Sequence, residues 1–180
     1  MRFSPLSIEG AWLIEPELRA DERGLFARTW CVREFEEHGI SASFVQASVS
    51  FNDLAGTLRG LHYQADPHGE VKLVRCTAGS VYDVIVDLRM QSSSYLKWHA
   101  ETLSAGNRRA LYIPKGCAHG FITMEDRAEV LYEISEYYHA ECARGVRYSD
   151  PVLGIAWPRE PARISTRDAE YPLLARTDRP

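Results

Sequence analysis

Residues 71–89 read VKLVRCTAGSVYDVIVDLR. Two apolar runs, 71–77 and 81–89, flank the short turn signal AGS. That pattern predicts a strand, a tight turn and a second strand. The same grammar extends outward. FVQASVSF (44–51) and TLRGLHYQ (57–64) precede the pair; WHAETLS (98–104), RALYIP (109–114), HGFITM (119–124) and AEVLYEISEYY (128–138) follow it. The turn signals ADPHGE, SAGN, PKG and MEDR separate these runs. In 128–134, Ala128, Val130, Tyr132 and Ile134 alternate with Glu129, Leu131 and Glu133, a period of two that only Leu131 spoils. One helix is predicted at CVREFEEHG (31–39), with Gly39 as its left-handed stop. Beyond Trp157 the tail is rich in Pro and Arg and reads as irregular, except that STRDAE (165–170) can start a helical turn. Many short, regularly spaced strands predict an all-β sandwich or barrel, and eight or more suit a jelly roll. With no internal repeat or low-complexity linker, residues 1–180 form one domain, the N-terminal arm and C-terminal tail packing on the strands.

Bulk properties narrow the function. The chain has 180 residues, enough for one real core, and its net charge of −4 advertises neither nucleic-acid nor membrane binding. The opening MRFSPLSIEGAW holds no long apolar run, so neither a signal peptide nor a membrane span is expected. Cys31, Cys76, Cys117 and Cys142 form no C-x-x-C pair. Their wide spacing predicts free thiols in a reducing compartment, hence a cytoplasmic protein without a structural zinc.

Of the six histidines, His38, His68 and His139 lie in polar contexts and read as solvated surface, and His99 sits ambiguously in a strand edge. His62 and His119 each lie near a glycine and an aromatic, in GLHYQ and AHGF. Either they are half-buried histidines satisfied by backbone, or they are functional. IPKGCAHGF holds P-x-G-x-x-H at Pro114, Gly116 and His119, which resembles the second motif of the cupin jelly-roll superfamily. In metal-binding cupins that histidine is a ligand, joined by an H-x-H pair and a Glu. Here the corresponding stretch is His62-Tyr63-Gln64, and the acid's region offers Lys72. Two imidazoles and an ammonium do not make a catalytic metal site, so no metal is expected there. His62 as a base, Lys72 as an oxyanion stabiliser and Tyr132 as an acid suit enolisation beside a ketone, with Arg59 and Arg23 as candidates for phosphate. No nucleophile elbow, P-loop or dinucleotide fingerprint is present.

GTLRGLHYQ, KLVRCTAGSVYDVIVDLR, IPKGCAHGF, VLYE…YY and RGVRYSDPVLGIAWP together closely resemble the dTDP-4-dehydrorhamnose 3,5-epimerase family, from DERGLFAR (21–28) to STRDAEYP (165–172). The resemblance implies a cupin jelly-roll β-sandwich or barrel with short flanking helices. It also implies a homodimer with N-terminal strand exchange, no metal or organic cofactor, and epimerisation of a nucleotide-linked 4-keto-6-deoxy sugar at C3, C5 or both. By that resemblance His62 is the base, Asp168 its dyad partner and Tyr132 the acid on the opposite face. Lys72 lies near the sugar C4 oxygen, His119 contacts the sugar and Arg59 binds the diphosphate. Arg23 and Phe26 reach the nucleotide across the dimer, and Gln46 and Tyr138 contact it. Each has a plainer reading: Asp168 follows Ser165 by three, a helix cap, and Tyr132, Lys72, Arg59 and Arg23 suit core or surface roles.

The sequence departs from the family at three points. Arg28 stands where an acid is usual, Ser48 replaces an Asn and Ala143 replaces a Glu. Arg28 and Ser48 belong, by resemblance, to the nucleotide and sugar region. An acid-to-Arg change exchanges an acceptor for donors, which opens a CDP- or GDP-linked substrate, or a C3-only or C5-only enzyme, as alternatives to the dTDP-linked default. A non-catalytic nucleotide-sugar-binding module would not need His62, Asp168 and Tyr132 together. A metal-dependent cupin oxygenase or isomerase lacks its ligands. One geometric expectation follows from GTLRGLHYQ. In a regular strand Arg59 and His62 point to opposite faces, so a bend or bulge at Gly60 is required for both to reach one ligand.

Overall fold

The computed structural model describes residues 1–41 and 43–174; the last six residues of the tail lie outside them. Fourteen strands are formed: β1 (Arg2–Pro5), β2 (Trp12–Glu15), β3 (Arg19–Asp21), β4 (Gly24–Phe26), β5 (Gln46–Asn52), β6 (Thr57–Gln64), β7 (Lys72–Ala78), β8 (Ser80–Asp87), β9 (Trp98–Ser104), β10 (Ala110–Ile113), β11 (Cys117–Thr123), β12 (Ala128–Ile134), β13 (Ala143–Gly145) and β14 (Arg163–Ile164). Two short helices, α1 (Val32–Glu36) and α2 (Thr166–Ala169), flank them. One sheet has the order β1-β2-β10-β7-β12-β5, and the other β13-β6-β11-β8-β9 with β14 added parallel to β6. The two sheets face each other in an antiparallel jelly-roll sandwich. All eight expected strands are present, and 57–64 and 98–104 match at both ends. The run predicted over 128–138 stops at Ile134, the one predicted over 44–51 starts at Gln46, and the helix predicted over 31–39 contracts to Val32–Glu36, with Gly39 at φ +73 beyond it. The N-terminal arm adds the hairpins β1–β2 and β3–β4, which the sequence reading did not place.

The central strands of both sheets are covered on both faces, which is why runs such as VYDVIVD look apolar throughout instead of alternating. Between the sheets lie Leu13, Val74, Leu111, Ile113 and Val130 from one side and Val81, Ile85, Leu103, Cys117 and Phe121 from the other. Outside the first sheet, Phe35 of α1 and Ile40 cover Ile14, Leu73 and Tyr112. Outside the second, Val146, Leu153 and Trp157 of the C-terminal segment cover Leu61, Val84 and Val86. All four cysteines are free thiols, as the spacing predicted. Burial pushes Cys76 up to about 11 and Cys117 up to about 12, so neither is an activated nucleophile. Among the described residues, no helix is long and apolar enough to cross a membrane.

The turn after β8 is held by one buried carboxylate. Asp87 accepts hydrogen bonds from the Arg89 guanidinium (2.8 Å to each oxygen) and from the hydroxyls of Ser92 and Ser94 (both 2.6 Å). Burial alone would raise its pKa, but these bonds prevail and hold it at about 2. A folded-state pKa below the unfolded value stabilises the protein above about pH 4, and that stability is lost as the pH falls towards about 2. Asp87→Asn is therefore expected to cost about 2 kcal/mol at pH 6, and progressively less near pH 2. Urea unfolding across that range reads it, and equal stability at pH 6 would contradict the assignment.

Candidate active site

The site is built where β6 departs from regularity. Its pairing with β11 sets His62 opposite His119, but Arg59 opposite Phe121, so β6 carries one residue more than its partner between those pairs. The extra residue brings Arg59 and His62 to the same, inward face, and both line one cavity. Gly60, at φ +124, sits at the break. A side chain there would meet the Gly120 Cα at 2.5 Å and the His119 carbonyl at 2.8 Å, so only glycine fits. The required bulge is thus present where the sequence placed it.

The cavity, of about 330 Å³, opens between the sheets and is lined from both. His62 and His119 come from β6 and β11; Lys72 and Tyr132 come from β7 and β12 on the facing sheet; Gln46, Ser48 and Ser50 come from β5. Tyr138 joins them from the segment after β12. Nine of the twelve residues singled out in the sequence therefore belong to one place: these, Ser50 apart, with Arg59, and Asp168 behind His62. Arg23, Phe26 and Arg28 do not. Arg23 is ion-paired with Asp21 on the exposed β3–β4 hairpin, Phe26 is 74% exposed, and Arg28 binds Glu34 at 2.8 Å. The chain does not bring these three to its own cavity, because the hairpin's strands pair only with each other, away from the sandwich.

His62 Nε2 lies 2.8 Å from Asp168 Oδ1. The other oxygen, Oδ2, accepts the Gly60 N–H at 3.1 Å. Burial pushes the Asp168 carboxyl up, but the bonds from His62 and Gly60 prevail and leave it below the usual range, an anion at neutral pH. The capping reading of S-x-x-D is also correct: Ser165 Oγ accepts the Asp168 N–H at 3.1 Å. The cap and the dyad are one device, since the cap fixes the four-residue helix that aims the carboxylate.

On the facing wall, Tyr132 packs edge-on to His119, with ring centroids 5.9 Å apart. Burial, with the nearby Asp83 carboxylate adding to it, pushes the phenol well above its usual pKa, so Tyr132 is a full proton donor at neutral pH. Lys72 is nearly buried. Its ammonium lies 2.7 Å from Glu70 Oε1 and donates to the His62 carbonyl at 3.3 Å. Arg59 Nε donates to Asn52 Oδ1 at 2.7 Å and its Nη2 to the Phe51 carbonyl at 3.4 Å, and the side chain lines the cavity.

Four supporting groups escaped the sequence reading. Asp83 holds His119 Nε2 at 2.9 Å from both oxygens and makes a second, fully buried histidine–carboxylate pair; burial raises its carboxyl above the usual range. Its signal was legible: an acid inside a doubly covered strand needs a partner. Glu70 positions Lys72, and Arg144 and Arg167 add cationic charge to the lining with no spacing signal. The residues do not fit the metal centre of metal-binding cupins. His62 and His119 each commit Nε2 to a carboxylate, the Gln64 amide donates to two carbonyls, and an ammonium occupies the acid's region.

Comparison with known proteins agrees with this geometry. Residues 5–176 match the family model described as dTDP-4-dehydrorhamnose 3,5-epimerase. The chain is 45% identical over 160 residues to the enzyme of that name from Methanothermobacter thermautotrophicus, covering 88% of this chain and 85% of that one. It is 41% identical to a dTDP-4-dehydrorhamnose 3-epimerase from Streptomyces niveus, over 97% of this chain and 84% of the relative. The crystal structure of the Bacillus anthracis dTDP-4-dehydrorhamnose 3,5-epimerase, with TDP and PPi bound, matches with a TM-score of 0.93 at 41% identity, over 96% of this chain and 99% of that one. Histidine–carboxylate pair, facing phenol, jelly-roll frame and overall similarity converge: this chain belongs to the dTDP-4-dehydrorhamnose 3,5-epimerase family, and it is an isomerase.

Proposed function

We propose that the protein inverts both C3 and C5 of a dTDP-linked 4-keto-6-deoxy-glucose. The observation that carries this reading is the His62–Asp168 pair at 2.8 Å on one wall of a cavity whose facing wall presents Tyr132. The imidazole of His62 removes the proton at the carbon beside the C4 ketone. The C–H electron pair moves into the ring as the enolate, whose negative oxygen lies towards the Lys72 ammonium. Asp168 stabilises the imidazolium so formed. The Tyr132 phenol then delivers a proton to the opposite face of the same carbon, and solvent restores both groups. Repetition at the second carbon completes the double inversion. Arg59 holds the diphosphate, His119 contacts the sugar, and Gln46, Ser48 and Tyr138 contact the sugar and base. Within its own chain Arg28 is engaged by Glu34, away from the cavity.

The protein works in this reading as a homodimer in which Arg23 and Phe26 reach the nucleotide in the second copy's cavity. The exposed β3–β4 hairpin, all six of whose strand residues are solvent-facing, supports this arrangement. Proton NMR in deuterated water tests the proposal with dTDP-, CDP- and GDP-linked 4-keto-6-deoxyglucose. Deuterium is expected at both C3 and C5 of the dTDP sugar, with inversion at each. Exchange at C3 alone would replace the double inversion by a C3-only reaction. Binding without any exchange would make the protein a nucleotide-sugar-binding module.

A further inference from the structure

We propose that His68, Glu136 and His139 form a site for one divalent transition-metal ion of the zinc class, at the rim of the substrate cavity and separate from its chemistry. His68 lies in the loop between β6 and β7; Glu136 and His139 lie in the segment after β12. One ligand atom from each residue lies within 4.8 Å of the other two. The two imidazoles stack, with centroids 3.4 Å apart and planes 11° from parallel, and the Glu136 carboxylate is 3.9 Å from His68 Nδ1. Two imidazoles and a carboxylate are a donor set that suits zinc, with a fourth position left open. The Glu141 carboxylate lies 3.2 Å from His139 Nδ1. Ligand atoms on a tetrahedral zinc lie about 3.3 Å apart, so the cluster must contract by about 1.5 Å or less. These side chains are partly exposed, and the stacked imidazoles must turn out of their parallel planes for both nitrogens to meet one ion.

The scaffold beneath them is built and buried. The Gln64 amide donates to the carbonyls of His68 (3.1 Å) and Tyr137 (3.0 Å), and its oxygen accepts the His139 N–H at 2.6 Å. One buried side chain thus clamps together the two segments that carry the three ligands. Nothing in the proton-transfer chemistry uses His68 or His139, so their juxtaposition needs a separate account. An ion here ties the β6–β7 loop to the segment carrying Tyr138, which lines the cavity, and fixes that tyrosine at the mouth.

Equilibrium dialysis of the metal-free full-length protein against zinc chloride at pH 7.5 tests the site. About one zinc per chain is expected. His68→Gln, His139→Gln and the near-isosteric Glu136→Gln are each expected to weaken binding at least about tenfold, while keeping the native circular dichroism. His62→Asn is expected to bind zinc like the parent, which separates this site from the catalytic pocket. Absence of stoichiometric zinc in the parent, unchanged affinity in His68→Gln or His139→Gln, or loss of zinc in His62→Asn would each overturn the proposal. None of these outcomes bears on the epimerase reading, which is scored by isotope exchange alone.

Discussion

His62→Asn is expected to lower both inversion and deuterium uptake by about 10²–10⁴-fold, equivalent to about 3–5 kcal/mol of transition-state stabilisation. The imidazole has a carboxylate behind it, Asp168 at 2.8 Å, to stabilise the charge it takes up. Asparagine fills a similar space and can still hydrogen-bond Asp168, so the fold should survive. Affinity for dTDP is expected to change little, because the nucleotide is assigned to Arg59, Gln46 and Tyr138. Uptake within tenfold of the parent would remove His62 as the base. A collapse of dTDP binding together with uptake would show that the loss is structural. Asp168→Asn tests the same unit from behind: it keeps the shape and removes the charge, and should slow uptake without abolishing dTDP binding.

Tyr132→Phe separates the two half-reactions. His62 can still take the proton, exchange it with solvent and return deuterium to the face it left. Inversion is therefore expected to fall by about 10²–10⁴-fold while deuterium uptake with retained configuration persists. The ring keeps its edge contact with His119, so stability should change by only about 1 kcal/mol for the lost hydroxyl. Inversion at the parent rate, or uptake and inversion lost in parallel, would contradict a facing acid. The environment also sets a pH expectation. Burial, seconded by Asp83, raises the phenol's pKa, so the acid stays protonated through the ordinary tyrosine range and turnover should not fall on its account between pH 8 and about 10. A loss of rate there that vanishes in Tyr132→Phe would contradict this.

What could be read from the sequence follows from where each signal resides. The eight central strands were legible because apolar runs and glycine turns are local. The strands β1–β4, β13 and β14 were not: they have two to four residues each, and their pairing depends on partners far away in the chain. In the site, His62 and His119 carried visible flanking signals, and the Gly60 irregularity followed from the requirement that two residues three apart share a face. Asp168 was recognisable only through family resemblance, since by spacing alone it is a helix cap. Asp83 was hidden in plain view, an acid among valines whose doubly covered strand the apolar run already implied. Arg144 and Arg167 reach the cavity from segments whose course the sequence does not encode locally. Arg23, Phe26 and Arg28 show the converse: a strong motif can be present while the single chain leaves its residues elsewhere.

The irregularity in β6 makes chain length, more than side-chain identity, the quantity that guards this site. His62 and His119 sum to one register, Arg59 and Phe121 to the next, so the strand changes parity once along its course. Upstream of Gly60, odd positions look inward; downstream, even ones do. A one-residue deletion anywhere in that short interval would restore a uniform ladder and turn either the diphosphate half or the proton-transfer half of the strand inside out. The Gly60 amide is also what steadies Asp168, so the same lesion would release the carboxylate from the base it serves. Substitutions around the cavity can retune the substrate one contact at a time, but the count of residues from Arg59 to His62 admits no such gradual change.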